Sequence, residues 1–72
     1  MNKQAMQYII SRISERAFDA REESKKEPDN SFLQGRHLAY YEVLDIIKTE
    51  LDIRDEDLKD YGLDINLEKD FL

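Results

Sequence analysis

Apolar residues recur every three or four positions between residues 32 and 51, which is the spacing of one face of an α-helix. A first row contains Phe32, Ala39, Val43, Ile46, Ile47 and Leu51, and a second row beside it contains Tyr40, Leu44, Ile47 and Leu51. Apolar residues also stand side by side, as in Val43-Leu44, which argues against the alternation of a half-buried strand. The pattern predicts a helix over residues 31–51 with an apolar stripe wider than one helix contact requires.

Turn residues mark the start of this helix. Pro28 is followed by Asp29, Asn30 and Ser31, and each of the three can accept a hydrogen bond from a first-turn N–H. Ser31 also stands three residues before a glutamine, which is the spacing of a capping box. We therefore place the helix boundary at one of these three residues.

The first half of the chain predicts a second long helix, over residues 3–26, with Asn2 as its N-cap. Its apolar positions are spaced by three or four: Met6, Ile9, Ile10, Ile13, Ala17 and Ala20. Pro28 restricts the residue before it and so ends the helix. A connection this short makes the two helices antiparallel neighbours. In that register Phe18 is expected over the small side chains of Gly35 and Ala39, where the helices would cross closely.

Beyond Leu51 the pattern weakens. We expect a short helix over residues 55–61, capped by Asp52 or Asp55 and ended by Gly62, with continuation of the preceding helix as the alternative. Residues 63–72 are expected to form an extended arm docked on the hairpin or on another copy, or to have no fixed structure. The predicted fold is all-α: residues 1–72 form one small domain, an antiparallel helical hairpin with a short acidic C-terminal helix or arm.

A chain of 72 residues has difficulty enclosing a core by itself. It has no cysteine and one histidine, which excludes disulfides and argues against a structural zinc site. A lone hairpin would leave Ile10, Tyr40, Leu44 or Ile46 partly in water, at a cost of several kcal/mol if apolar burial contributes about 25 cal/mol per Å². We therefore expect a homodimer in which two hairpins form a four-helix bundle. Docking of the C-terminal residues on the hairpin is the competing arrangement.

The charge of the chain is uneven. Its formal net charge is −6, and residues 52–72 alone carry three Lys/Arg and eight Asp/Glu. This balance disfavours direct binding to nucleic acid, which requires a basic surface. No apolar run approaches the length of a membrane span, and the N-terminal residues lack the apolar core of a signal peptide. We expect a cytoplasmic protein without a membrane partner.

Side chains suited to catalysis are few. His37 is the single imidazole, with Tyr41 four residues on and Glu42 nearby, and we interpret it as a surface or rim residue. Glu42, Asp45 and Glu50 lack the Glu-x-x-His spacing of di-iron bundles, so we interpret them as solvated carboxylates. We predict no catalytic residue, no cofactor and no metal site, and the chain is not expected to be an enzyme.

Two groups of side chains are candidates for contact with a partner. The first is a basic-aromatic set of the kind enriched at binding hot spots: Arg36, Tyr40 and Tyr41. The second is a carboxylate cluster without the residue order of a calcium loop: Asp55, Glu56, Asp57 and Asp60. Negative charge there suits a helix N-terminus, or an acidic contact for a basic partner.

These observations predict a non-enzymatic protein–protein interaction module, a small adaptor, regulatory or accessory protein that acts as a homodimer and binds an unidentified protein. The alternative is an acidic inhibitor, whose carboxylates would imitate nucleic-acid phosphates and block a nucleic-acid-binding protein. The negative charge of residues 52–72 motivates this alternative.

Overall fold

The computed structural model describes residues 2–72, which form four helical elements. They are α1 (Lys3–Lys26), α2 (Ser31–Ile53), a 3-10 helix (Leu58–Tyr61) and α3 (Leu67–Phe71). No strand occurs among these described residues, and the two long helices pack together as a hairpin. The prediction of an all-α helical hairpin is therefore confirmed.

Both long helices begin at an asparagine. The side-chain oxygens of Asn2 and Asn30 each accept a first-turn N–H, at 2.8 and 3.1 Å. Asn30 rather than Ser31 is thus the N-cap of α2. The Gln34 amide does not close a capping box but donates to the Ser24 carbonyl at 2.9 Å. This bond ties the first turn of α2 to the end of α1.

The end of α2 lies at Ile53, two residues beyond the predicted boundary. Asp55 follows in the left-handed region with φ of 59°, and the Glu56 N–H donates back to the Leu51 carbonyl at 3.0 Å. This is the hydrogen bond of a helix-ending turn that glycine adopts most readily. Aspartate tolerates the left-handed conformation better than most side chains do.

The short helix predicted over residues 55–61 is instead the 3-10 helix at Leu58–Tyr61. Its N-cap is Asp57, whose carboxylate accepts the Lys59 N–H at 3.1 Å, rather than Asp52 or Asp55. Gly62 ends it with φ of 70°, and the next N–H donates back to the first carbonyl of the helix at 2.9 Å.

Residues 63–72 dock on the hairpin, which is one of the predicted arrangements, but they end in a helix rather than in an extended arm. They fold back along the hairpin and finish in α3, with Asn66 as its N-cap. Leu63, Leu67 and Phe71 are buried and belong to one cluster with Ile10 of α1 and Leu44 of α2. The C-terminal segment (residues 54–72) therefore supplies a third layer, and Ile10 and Leu44 need no second copy to cover them.

The close helix crossing expected at Gly35 and Ala39 does not occur. Apart from the neighbouring residues and the backbone of α2 itself, no atom lies within 4 Å of the place where a Cβ of Gly35 would stand, and Ala39 and Phe18 are exposed. The physical reason is that α2 has two apolar rows and can turn only one of them inward. The row with Leu44 lies between α1 and the C-terminal segment, so turning that row inward buries it on two sides.

The two glycines predict opposite effects for the same substitution. Gly35 lies inside α2 with open space around it, so Gly35→Ala should stabilise the fold by roughly 0.5–1 kcal/mol through helix propensity. Gly62→Ala should destabilise it by about 1 kcal/mol, because a side chain at φ of 70° is strained even though space is available. Thermal unfolding of both variants tests this, and equal signs would contradict the assigned conformations.

The core role of the C-terminal segment predicts a contrast between two leucines near the end of the chain. Leu67 is 2% exposed, so Leu67→Ala should cost about 2–4 kcal/mol of unfolding free energy. Leu72 is 59% exposed, so Leu72→Ala should change it by less than about 0.5 kcal/mol. Urea unfolding of both variants distinguishes a packed segment, with unequal losses, from a loose arm, with equal ones.

Candidate protein-interaction surface

One side of α2 is anchored to the C-terminal segment by three polar side chains, His37, Tyr41 and Lys48. The Tyr41 hydroxyl donates to the Glu68 carboxylate at 2.9 Å. His37 and Lys48 each contact a backbone carbonyl of the segment through a side-chain nitrogen. These contacts define which side of the helix the segment covers.

The opposite side of α2 keeps an exposed apolar row. Successive residues of a helix are about 100° apart, so residues two positions apart point in nearly opposite directions. Val43 is two residues from Tyr41, and Ile46 is two residues from Lys48, so both apolar side chains point away from the anchors. Val43 is 41% exposed, Ile46 is 63% exposed and Phe32 is 74% exposed. We call the following residues the outer row: Phe32, Ala39, Val43 and Ile46. Ala39 was predicted to lie at a close crossing with α1, whereas Ile46 was expected to stay partly in water in a lone hairpin. The structure places all four residues at the surface.

Two ion pairs lie along the outer row. The Arg36 guanidinium contacts the Glu23 carboxylate of α1 at 2.9 Å and lies over the Tyr40 ring, 5.4 Å from its centroid. At the C-terminal end of α2, Arg54 forms an ion pair with Glu50. These two ion pairs give this side charges of both signs, whereas the net negative charge of the chain is concentrated in residues 52–72.

An apolar cavity of about 310 Å³ lies at the open end of the hairpin, beside the outer row. Its lining residues are Met6, Ile46, Ile47, Glu50, Leu51 and Arg54. Met6 of α1 and Leu51 of α2 both line this cavity, and nothing in the sequence indicated an unfilled space between them. A smaller cavity of about 240 Å³ lies between α2 and the C-terminal segment and has charged walls that include Asp45 and Lys48.

The two tyrosines of the basic-aromatic set are separated by the fold. Tyr40 is half-buried beside Arg36 on the side of the outer row, while Tyr41 is half-buried and bonded to Glu68 on the side of the C-terminal segment. The structure thus keeps Arg36 and Tyr40 together as one candidate contact. Tyr41 holds the chain's own third layer in place.

The acidic candidates are divided in a similar way. Asp60 forms an ion pair with Lys3 at 2.5 Å, and Asp57 caps the 3-10 helix. Asp55 and Glu56 are exposed in the turn that ends α2. Among the described residues, no group of three or more His, Asp or Glu side chains is arranged to hold a metal ion.

His37 occupies a rim position, one of the two that the sequence analysis allowed, rather than a surface position. It is half-buried, with Nδ1 3.0 Å from the hydroxyl of the buried Ser24 and Nε2 against the Phe71 carbonyl. It thereby connects α1, α2 and the C-terminal segment. Its contacts lie 13 and 34 residues away in the chain, so no local sequence signal marks them.

Hydrogen bonds that involve the C-terminal segment shift the pKa values of three side chains. The pKa of the Glu68 carboxyl is lowered, first by its own backbone N–H and next by the Tyr41 hydroxyl. The same carboxylate raises the pKa of the Tyr41 phenol. At the other end of the segment, the hydrogen bond to Asp60 raises the pKa of Lys3.

Comparison with protein-family models, with curated proteins and with solved structures gives no match. Within residues 2–72, neither long helix contains a stretch apolar enough to cross a membrane. What the chain does is therefore argued from its own surfaces.

The Tyr41–Glu68 contact predicts a pH effect with a defined sign. A lowered carboxyl pKa stabilises the fold above the ordinary value of that group, and this contribution is lost as the pH falls through the lowered pKa. Tyr41→Phe should raise the Glu68 pKa towards its ordinary value in a carboxyl NMR titration. Tyr8→Phe is the control, because Tyr8 is exposed and its hydroxyl faces Arg12. An unchanged Glu68 titration in Tyr41→Phe would contradict the contact.

Proposed function

We propose that this chain is a non-enzymatic protein–protein interaction module, a small adaptor, regulatory or accessory protein that acts as a homodimer of two hairpins in a four-helix bundle. The observation that carries the proposal is the outer row. The C-terminal segment completes the core on one side of the hairpin, and the other side still exposes Phe32, Val43 and Ile46. Contiguous apolar surface on a folded protein is typical of a binding site.

The energy available from the outer row is suited to reversible association. Full burial of a large apolar side chain contributes about 1.5–3 kcal/mol, and each of these side chains is already partly covered. A dimer would bury three of these side chains from each copy, and together the six contribute on the order of 5–10 kcal/mol. This is comparable with the cost of about 4–15 kcal/mol for bringing two molecules together. Apolar burial alone therefore supports weak pairing, and specific contacts must set the affinity.

The charge pattern favours a second copy of this chain as the occupant. Arg36, Glu50 and Arg54 provide both signs along the same side of α2, so this surface complements itself. The excess of carboxylates lies in residues 52–72, and the polar anchors of that segment point away from the outer row. Two chains of net charge −6 can therefore meet here without bringing their acidic segments together.

The proposal predicts that one substitution in the outer row blocks self-association. Val43→Glu should shift the chain to a monomer, because it places two carboxylates at the centre of the contact. Leu38→Glu is the matched control, since Leu38 is 47% exposed on the same helix but about 140° around it from Val43. Light scattering over a range of concentrations measures the mass, and far-UV circular dichroism checks that both variants fold.

A wild-type mass of one chain at every concentration would contradict the homodimer. Equal loss of association in both variants would show that the outer row is not the contact.

A further inference from the structure

We propose, building on the homodimer above, that α2 packs antiparallel to α2 of the second copy about a two-fold axis at Val43, and that each copy's Phe32 enters the apolar cavity of the other. Each copy thus provides one aromatic side chain and one cavity. The ligand assigned to the cavity is the phenyl ring of a second copy of this chain.

The first support is a symmetric spacing along α2. Counted from Val43, side chains of the exposed side stand 4, 7 and 11 residues away in both directions. These steps return to within about 40° of the direction of Val43 on a helix with 3.6 residues per turn. We call this set of residues the symmetric stripe, and it consists, in order, of Phe32, Arg36, Ala39, Val43, Ile47, Glu50 and Arg54.

A two-fold axis at Val43 pairs opposite charges. In an antiparallel pair, residues at equal distances from the axis face each other, so Arg36 faces the second copy's Glu50, and this contact occurs twice. Arg36 already contacts Glu23, and Glu50 already pairs with Arg54 within one chain. The dimer would join these ion pairs into two alternating networks of four charges each.

The same axis places an exposed aromatic ring at the cavity. Phe32 lies 11 residues from Val43, about 16 Å along the helix, and faces the second copy's Arg54. Glu50, Leu51 and Arg54 line the cavity at this level, and its remaining walls are apolar. A cavity of about 150 Å³ accommodates benzene in another protein, so one of about 310 Å³ has room for the phenyl ring. Arg54 at the rim can then lie over the ring as a cation–π partner.

A parallel arrangement lacks this complementarity. It would place Arg36 against the second copy's Arg36 and Glu50 against its Glu50, with two like-charge contacts. It would also bring the two Phe32 side chains to the same end and leave both cavities unfilled. The aromatic ring lies at one end of the symmetric stripe and the cavity at the other. This placement favours the antiparallel pair.

Charge reversal tests the register. Arg36→Glu and Glu50→Arg should each weaken self-association about tenfold or more, because each variant faces its own kind with like charges. An equimolar mixture of the two should form a heterodimer that is clearly tighter than either variant's own dimer, since every pair that faces across the axis then has opposite signs, although each variant loses its own ion pair to Glu23 or Arg54. Native mass spectrometry measures the three species. A mixture that associates no better than the separate variants overturns the register.

Aromatic truncation tests the cavity. Phe32→Ala should weaken the dimer by roughly tenfold to a hundredfold while leaving the melting temperature of the monomer unchanged, because the side chain is exposed in a single chain. Phe18→Ala is the control, since Phe18 is also exposed but lies on α1 away from the outer row. Equal affinities for the two variants overturn the assignment of Phe32 to the cavity.

Disulfide trapping separates this inference from the proposed function. The chain has no cysteine, so a single Val43→Cys change introduces one thiol at the axis. Under mild oxidation it should cross-link to its own kind much faster than Leu38→Cys. If the wild-type chain is a dimer but the two cysteine variants cross-link equally slowly, the homodimer stands and the axis at Val43 is wrong. A wild-type chain that stays monomeric overturns both.

Discussion

The structure depends on the contact that Leu63, Leu67 and Phe71 make with Ile10 and Leu44. Two helices touch along a line, and a line cannot surround a side chain. The C-terminal segment converts that line into an enclosed cluster, because it places apolar groups over the seam from a third direction. This is how a chain of 72 residues without disulfides obtains a core of its own.

The same contact determines what is left outside. The anchors from His37, Tyr41 and Lys48 hold the segment on one side of α2, and the helix period turns Val43 and Ile46 to the other. The outer row is therefore a geometric consequence of a third layer that packs on only one side of the two-helix hairpin. This fold buries one apolar row of α2. Because α2 has two such rows, the second stays exposed.

The two long helices follow from local signals, whereas α3 and the packing do not. The asparagine caps, the proline turn and the stop at Gly62 act within a few residues of where they stand, so a sequence shows them. The choice between the Leu44 row and the Val43 row is made by Leu63 and Leu67, about twenty residues further along. The surface position of the outer row, the cavity beside Leu51 and the contacts of His37 all follow from that distant choice.

The order of the elements has a consequence for synthesis of the chain on the ribosome. α1 and α2 are synthesised before residues 63–71, although these later residues close the core. Until they arrive, the nascent hairpin exposes apolar surface on both of its sides at once. Partly folded chains with such surfaces are prone to premature association. Docking of α3 therefore ends a stage in which the apolar surface of the hairpin is open to misassembly.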